Sequence, residues 1–207
     1  MKAFIYTGGS IYADNITEHP KGDDLIIAAD SGYENALALG VQPDMILGDF
    51  DSLKADIPSD IKKLQVPAQK DFTDTQLAVD TALKNGASEI VIIGGIGGRL
   101  DHTLSNLGIL EDLNKKNVHA LITNGNDRIR YIDSTSILIA RSGYRYLSLL
   151  CLTEKAKGVS VEGCKYPLKG AKLTRDFQFA VSNEITGNCA LISVRKGGLY
   201  IIESRDR

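Results

Sequence analysis

Through the first 124 residues, short apolar segments alternate with longer segments in which apolar residues recur at helical spacing. The short segments are rich in β-branched residues, which predicts strands; they read KAFIYT, LIIAAD, MILGDF, KLQVPA, EIVIIGG and VHALITN. The longer segments, residues 33–40, 73–86 and 100–117, end at glycine or just after a pair of lysines, which predicts helices. This alternation predicts a mostly parallel sheet flanked by helices.

The pattern changes after residue 126. Helical spacing is lost, and short strands alternate with glycine-containing turns: STSILIA, YRYLSLLCL, KGVSVEGCKYPL, QFAVSN, NCALISVRKGG and LYIIES. We therefore expect an α/β protein with a Rossmann-like, mostly parallel domain over residues 1–126 and an all-β domain, a sandwich or barrel, over residues 127–207. So small a β domain buries its own surface inefficiently, which favours docking onto a partner chain, and we expect a homodimer.

Composition narrows the class of protein. With 207 residues and 43% hydrophobic content the chain can build a large core, and its net charge of −2 provides no basic field for nucleic acid. No apolar run is long enough to span a membrane, and the N-terminus does not resemble a signal peptide, so we expect a cytoplasmic protein. Cys151, Cys164 and Cys189 lack the spacing of a zinc site, which favours reduced thiols.

Two acidic motifs lie where helices are predicted to follow strands. In GDFDS, Asp49 and Asp51 are two residues apart and can face one cation, for which hard oxygen ligands favour Mg²⁺. The alternative is that they are ordinary turn aspartates. In KDFTDT, Lys70 precedes Asp71 and Asp74, which share a helical face at a helix start that favours anions. There the alternative is that Asp71 or Thr73 is the helix N-cap.

A glycine-rich motif, GGIGGRLDH, follows the most apolar strand. Its glycines, Gly97 among them, let the backbone approach phosphate, and Arg99 can bind phosphate oxygens with two N–H groups. Asp101 and His102 follow at the helix start, where His102 can equally be a capping or structural histidine. The third glycine of the dinucleotide fingerprint is missing, which argues against a dinucleotide-binding loop.

A fourth motif, AADSG, also ends a predicted strand. Asp30 is placed there for a substrate or a metal-bound water, unless Asp30 or Ser31 is simply an N-cap. Because a parallel sheet gathers such turns at one edge, we expect all four motifs to lie together. The sequence contains neither a P-loop motif nor a protein-kinase catalytic loop.

Together these motifs resemble the thiamine pyrophosphokinase family in their order and spacing: AADSG, GDFDS, KDFTDTQLA and GGIGGRLDHTLSN. The resemblance extends to GVSVEGCKYPL and AVSNEITGNCALISV, which look like the family's thiamine-binding sandwich segment. It implies transfer of the pyrophosphoryl group of ATP to the thiamine hydroxyl, giving thiamine diphosphate and AMP. It also implies an N-terminal domain that binds ATP with Mg²⁺, a C-terminal sandwich, and a homodimer with its active sites at the subunit interface.

Carried onto this sequence, the resemblance assigns three sets of residues. Metal binding and catalysis fall to Asp49, Asp51 and Asp74, with Asp71 as a further catalytic candidate. Nucleotide binding falls to Asp30, Lys70, Thr73, Gly97, Arg99 and Asp101. Thiamine binding falls to Ser182, Asn183 and, because this chain has no Trp, to Tyr166 as the candidate aromatic partner. The competing functions are an ATP-binding regulatory module and another Mg²⁺-dependent phosphoryl transferase on the same fold.

Overall fold

The computed structural model describes residues 1–50, 58–59, 61–65 and 71–206. Two of the predicted site residues, Asp51 and Lys70, lie outside the described residues. The chain divides into two compact units, Met1–Gly125 and Asn126–Arg207. No helix in the described part of the chain is both long and apolar enough to cross a membrane.

The first unit contains a parallel sheet, as the alternating pattern predicts. Its strands are β1 Lys2–Tyr6, β2 Leu25–Ala29, β3 Met45–Gly48, β4 Lys62–Gln65, β5 Glu89–Ile93 and β6 His119–Thr123. They lie in the order β4-β3-β2-β1-β5-β6, and every neighbouring pair is parallel. The chain moves outward from β1 to β4 and then returns to the other side of β1 with β5. The order therefore reverses between β1 and β5, where open α/β sheets bind ligands.

In the described residues, three helices lie between these strands: α1 Gly32–Ala38, α2 Asp74–Lys84 and α3 Leu100–Lys115. A short 3-10 helix, Ala13–Asn15, lies between β1 and β2. Thr73 is the N-cap of α2, because its side chain accepts a hydrogen bond of 3.2 Å from the backbone N–H of Gln76. The N-cap interpretation of the KDFTDT motif is therefore correct for Thr73.

The central strands of the parallel sheet are buried on both faces, whereas the edge strand β4 is exposed. Phe4 and Tyr6 point to one face, where they join Ala36 of α1 in a single apolar cluster. Ala3 and Ile5, which point to the other face, are also fully buried. Burial raises the pKa of Tyr6 to about 12, so its hydroxyl stays protonated. Such two-sided burial is typical of parallel sheets and holds the strand ends in place around the loops that follow.

The second unit is made of antiparallel strands: β7 Asp127–Asp133, β8 Ser136–Ala140, β9 Tyr146–Leu150, β10 Lys155–Glu162, β11 Leu168–Thr174, β12 Cys189–Ser193 and β13 Gly198–Ser204. β13 pairs with β7 and β9, whereas β10 pairs with β11 and β12, and β12 also pairs with β8. Side chains from both sets, such as Ile201 and Val161, belong to one apolar core. Cys151, Cys164 and Cys189 are free thiols, and burial raises the pKa of Cys164.

Two strand predictions for this unit were wrong, and two strands were missed. QFAVSN does not form a strand, because Ser182 has a positive φ of 57° that interrupts the extended backbone. KGVSVEGCKYPL stops being a strand after Glu162 rather than continuing to Leu168. β7 and β11 were not predicted at all; β11 carries few apolar residues, and its exposed face is rich in lysine.

Candidate active site

A cleft of about 570 Å³ opens in the first unit at the carboxyl ends of β1, β2 and β5. It therefore lies where the strand order reverses, the place at which this architecture binds ligands. The starts of α2 and α3 complete its wall, so two helix N-termini face it. Of the described residues, those that line it are Thr7, Gly8, Gly9, Ser10, Ala29, Asp30, Ser31, Phe72, Thr73, Asp74, Thr75, Gly94, Gly95, Gly97, Gly98, Arg99, His102 and Asn106.

Two glycine-containing loops form the floor of the cleft: residues 7–10 after β1 and residues 94–98 after β5. They pack against each other so closely that a Cβ on Gly9 would lie 2.0 Å from the carbonyl oxygen of Gly94. Gly97 and Gly98 have φ values of +90° and +89°, which side chains rarely adopt. Glycine backbone therefore forms much of the floor, beside the side chains of Thr7 and Ser10, and such backbone can present N–H groups to phosphate.

The acidic residues after β2 and β3 lie close together. Asp30 lines the cleft and has a positive φ of 49°, and its N–H donates a 2.7 Å hydrogen bond to the carbonyl of Leu47. A Cβ on Gly48 would lie 3.2 Å from the Asp30 Cβ, so glycine permits this approach. Asp49 follows directly and is only partly buried. The ends of β2 and β3 thus bring two carboxylates to one edge of the sheet.

At the start of α2, only some of the predicted site residues line the cleft. Thr73 and Asp74 line the cleft, whereas Asp71 is exposed and is not one of the lining residues. Thr73 is the residue that caps the helix, and Asp74 adds negative charge in its first turn. Asp74 is therefore the carboxylate of this motif that faces the cleft.

Arg99 and Asp101 form a two-point ion pair at the start of α3. Arg99 Nε lies 3.1 Å from Asp101 Oδ1, and its Nη2 lies 2.6 Å from Oδ2. This guanidinium lowers the pKa of Asp101 from its usual 3.8 to about 2. Both side chains are largely exposed, so water screens the pair and it contributes little to stability. Arg99 lines the cleft, but Asp101 does not.

The acidic residues do not form a ready-made metal cage in the part of the chain that is described. Among those residues, no group of three or more His, Cys, Asp or Glu side chains is close enough to hold a metal ion. Asp51, one of the three predicted metal ligands, lies outside them. Asp30 and Asp74 in the cleft, with Asp49 nearby, are the described carboxylates that such an ion would meet.

A second, apolar hollow of about 80 Å³ lies in the second unit. Its lining residues are Leu147, Leu149, Val161, Tyr166, Leu168, Phe179, Ala180, Val181 and Asn183. Two of the predicted thiamine residues, Tyr166 and Asn183, therefore lie at one site. Ser182 lies between two lining residues, and its N–H donates a 3.0 Å hydrogen bond to Ser148 Oγ. Tyr166 as a residue is 59% exposed, so its side chain can contact a ligand.

The Asn183 side chain is fully engaged with the backbone around this hollow. Its Oδ1 accepts hydrogen bonds of 2.9 Å from the N–H groups of both Tyr166 and Glu184. Its Nδ2 donates a 2.7 Å hydrogen bond to the carbonyl of Tyr166. The amide therefore holds the Tyr166 segment beside the 182–184 turn, which places the tyrosine ring at the rim of the hollow.

Both units match models of one protein family. Residues 17–122 match the thiamin pyrophosphokinase catalytic domain, and residues 134–199 match the thiamin pyrophosphokinase vitamin B1 binding domain. A thiamine pyrophosphokinase from Bacillus subtilis is 31% identical over 198 residues, which cover 93% of this chain and 92% of that one. This chain belongs to the thiamin pyrophosphokinase family.

Solved structures agree with this assignment. A crystal structure of thiamine pyrophosphokinase from Bacillus subtilis superposes with a TM-score of 0.89 at 28% identity and covers all of both chains. One from Geobacillus thermodenitrificans has a TM-score of 0.84 at 26% identity and covers 100% of this chain and 98% of that chain. The predicted resemblance to the thiamine pyrophosphokinase family is thus confirmed.

One part of the cleft was missed by the sequence analysis. The loop of residues 7–10, TGGS, lies before the segment that matches the thiamin pyrophosphokinase catalytic domain, and it forms half of the cleft floor. Its sequence signal was a pair of glycines directly after the first strand. The pair of glycines indicates a ligand-binding loop only once β1 and β5 are known to be neighbours. The strand order reverses between these two strands, so the loop after β1 lies where such sheets bind ligands.

Proposed function

We propose that this chain transfers the pyrophosphoryl group of ATP to the hydroxyl of thiamine, giving thiamine diphosphate and AMP. The observation that carries the proposal is the glycine-floored cleft with Asp30, Asp74 and Arg99 at its walls, in a chain of the thiamin pyrophosphokinase family. In this proposal the first unit is a Rossmann-like ATP domain and the second a β-sandwich that binds thiamine. The strand order of the first and the shared core of the second support those roles.

The triphosphate of ATP would lie over the glycine floor. Backbone N–H groups there and the N-termini of α2 and α3 favour anions. The Arg99 guanidinium would leave Asp101 and bind phosphate oxygens at two points, which also orients the phosphate chain. Thr73 and Gly97 lie in the same wall and floor. Held this way, ATP presents its β-phosphorus to an incoming hydroxyl.

The acidic groups fit a magnesium ion bound together with ATP. Such an ion takes one or two protein carboxylates and completes its coordination with phosphate oxygens and water, so a cage of three side chains is not required. Among the described residues, Asp30 and Asp74 of the cleft and Asp49 after β3 would supply the oxygen ligands. When bound, the ion neutralises the negative charge that develops on the phosphate oxygens.

The reaction exchanges one P–O bond for another. The thiamine hydroxyl oxygen bonds to the β-phosphorus, and the bond from that phosphorus to the oxygen bridging to the α-phosphorus breaks, so the electron pair leaves with AMP. The hydroxyl proton must pass to a base. Of the two carboxylates considered from sequence, Asp74 faces the cleft and Asp71 does not, which favours Asp74.

The apolar hollow of the second unit would bind the rings of thiamine. Thiamine carries a positive charge, which an aromatic face such as that of Tyr166 can attract; the Lys165 ammonium already lies 5.5 Å from the centre of this ring. Phe179 adds apolar surface beside it. Asn183 would act by holding Tyr166 in place, and Ser182 stays a predicted contact to thiamine.

We further propose a homodimer in which the aspartates of one subunit and Ser182 and Asn183 of the other complete each active site. Subunit exchange tests this: an inactive Asp74→Asn chain is mixed with an inactive chain that carries bulky residues at positions 182 and 183. Half of the dimers in a random mixture are heterodimers, and each has one intact site, so about a quarter of wild-type activity returns. No recovery despite heterodimers seen by native mass spectrometry would contradict the shared site.

Product analysis tests the reaction itself. Purified protein is incubated with ATP, Mg²⁺ and thiamine, and the nucleotides and thiamine phosphates are separated by chromatography. AMP and thiamine diphosphate in equal amounts are expected. ADP with thiamine monophosphate would identify a different phosphoryl transferase, and ATP binding with no product would identify a regulatory module.

A further inference from the structure

Each glycine loop of the cleft floor is held by an asparagine from a helix: Asn35 comes from α1, which follows β2, and Asn106 comes from α3, which directly follows the second loop. Asn35, on α1, donates hydrogen bonds from Nδ2 to two carbonyl oxygens of the first loop, those of Thr7 at 2.6 Å and Gly9 at 2.8 Å. The same Nδ2 lies 3.0 Å from the point where a Cβ on Gly94 would be. Asn35 therefore contacts the place where the two loops cross.

Asn106 plays the equivalent part for the second loop. It lies on α3, is only 5% exposed, and donates a 2.8 Å hydrogen bond from Nδ2 to the carbonyl of Gly95. Unlike Asn35, it also lines the cleft. Both asparagines thus direct their amide hydrogens at carbonyl oxygens of the floor, and a carboxylate in either place would meet those oxygens with no hydrogen to donate.

These contacts matter because a phosphate chain is repelled by carbonyl oxygens and attracted by N–H groups. A loop backbone free to rotate its peptide planes presents either group to the cleft, and glycine makes such rotation easy. A carbonyl that accepts a hydrogen bond from an asparagine is held toward that asparagine. Three floor carbonyls are held in this way, by donors that come from outside the two loops.

We propose that Asn35 and Asn106 are positioning residues that hold the floor of the cleft in its phosphate-binding form before ATP arrives. This inference rests on the proposed function, since it takes ATP as the ligand of the cleft. Neither residue needs to touch ATP, and the benefit lies in pre-organisation: ATP does not have to order the loops as it binds. Binding of thiamine, which is expected in the second unit, should not depend on these two asparagines.

The test replaces Asn35 by leucine, which has a similar size and no donor. The matched control is Asn85→Leu, because Asn85 also donates a 2.8 Å hydrogen bond to a backbone carbonyl, that of Thr81, but at the exposed end of α2. Binding of the α,β-methylene analogue of ATP with Mg²⁺ is measured by calorimetry, and KM is measured for both substrates. Asn35→Leu should weaken analogue binding and raise the KM for ATP by about 10-fold or more. The KM for thiamine should be unchanged, and Asn85→Leu should behave as wild type.

The outcomes separate this inference from the proposed function. A folded Asn35→Leu chain with wild-type affinity for the analogue would overturn the inference alone. A wild-type chain that does not bind the analogue would overturn the proposed function and, with it, this inference.

Backbone dynamics provide a second test that needs no variant to fold. NMR order parameters for the N–H groups of Gly8, Gly9 and Gly95 are measured in the wild-type chain without ligand. A pre-organised floor gives values of about 0.85, as in rigid backbone, and values below about 0.6 would overturn the inference.

Discussion

The cleft of the first unit and the hollow of the second differ in the groups that line them. Much of the floor of the cleft is glycine backbone, packed so tightly that a Cβ on Gly9 would lie 2.0 Å from a carbonyl oxygen. The hollow is lined by side chains, among them Tyr166 and Phe179, and it has about 80 Å³ of volume against about 570 Å³ for the cleft. A phosphate chain is bound by N–H groups and charge, whereas flat cationic rings are bound by aromatic faces.

The two sites therefore differ in what they tolerate. In the cleft, adding one methyl group displaces backbone, and positive φ values at Gly97 and Gly98 leave few alternatives to glycine. In the hollow, Tyr166 as a residue is 59% exposed, and its ring can be removed without disturbing the core beneath it. Mutations in the cleft should consequently change the kinetic constants for ATP, and mutations in the hollow those for thiamine.

Gly9→Ala should have the largest effect. The added Cβ must displace the carbonyl of Gly94, which moves the floor, and shifts of about 1 Å in a reacting geometry cost on the order of 10²-fold in rate. We expect kcat/KM for ATP to fall at least that far, with binding of thiamine retained. Gly108→Ala is the control, since a Cβ there meets no atom within 4 Å, and it should stabilise α3 by about 0.5–1 kcal/mol. Equal activities of the two variants would refute the backbone-built floor.

Asp74→Asn should lower kcat by about 10²-fold, because it keeps the side-chain size but removes a charge that faces the cleft. Stability should change by only a few tenths of a kcal/mol, because the N-cap of α2 is Thr73. Asp80→Asn, on the same helix but outside the cleft lining, is the control. A normal kcat in Asp74→Asn would contradict a catalytic role and show that Asp74 serves only the first turn of α2.

Tyr166→Ala should raise the KM for thiamine by roughly 10-fold, through loss of a cation–π contact and of apolar surface. The KM for ATP should not change, whereas Gly9→Ala should impair the use of ATP and retain the binding of thiamine. Leu138→Ala, which removes a side chain that is 62% exposed outside the hollow, is the matched control. A changed affinity for ATP in Tyr166→Ala would contradict the division between the two sites.

The smallest effect concerns the ion pair at the mouth of the cleft. Carboxyl titration by NMR should give a pKa of about 2 for Asp101, and Arg99→Gln should return it toward 3.8. Because the pKa is lowered on folding, the pair stabilises the fold above about pH 4 and this contribution is lost as the pH falls through about 2. Saturating ATP should raise the pKa if Arg99 moves to phosphate, and a pKa unaffected by ATP would refute that exchange.

Periodicity predicted the first unit better than the second. Strands buried on both faces, such as β5, are continuous apolar runs, and the helices between them end at clear stops such as Gly86. In the second unit a strand was predicted over QFAVSN, but Ser182 has a positive φ and donates its N–H to Ser148, a residue 34 positions away that no local pattern reveals. β11 was missed because Lys169, Gly170 and Lys172 interrupt its apolar residues, and its pairing with β10 is irregular in register.

The site divides in the same way. Asp30, Asp74, Gly97 and Arg99 could be predicted because each follows a recognisable strand, and all four line the cleft. Spacing could not distinguish an N-cap from a ligand at Thr73, since both interpretations require the same residue in the same place. The structural task of Asn183 depends on the backbone of Tyr166, which is distant in sequence, so no motif could predict it.

One titration tests most directly whether the cleft binds ATP and the hollow binds thiamine. Backbone N–H signals of the wild-type chain are followed by NMR as the α,β-methylene analogue of ATP with Mg²⁺ and then thiamine are added separately. The analogue should shift Gly8, Gly9 and Gly97 of the cleft, and thiamine should shift Tyr166 and residues 179–183 around the hollow. Shifts of the hollow by the analogue alone, or of the glycine floor by thiamine alone, would contradict the account.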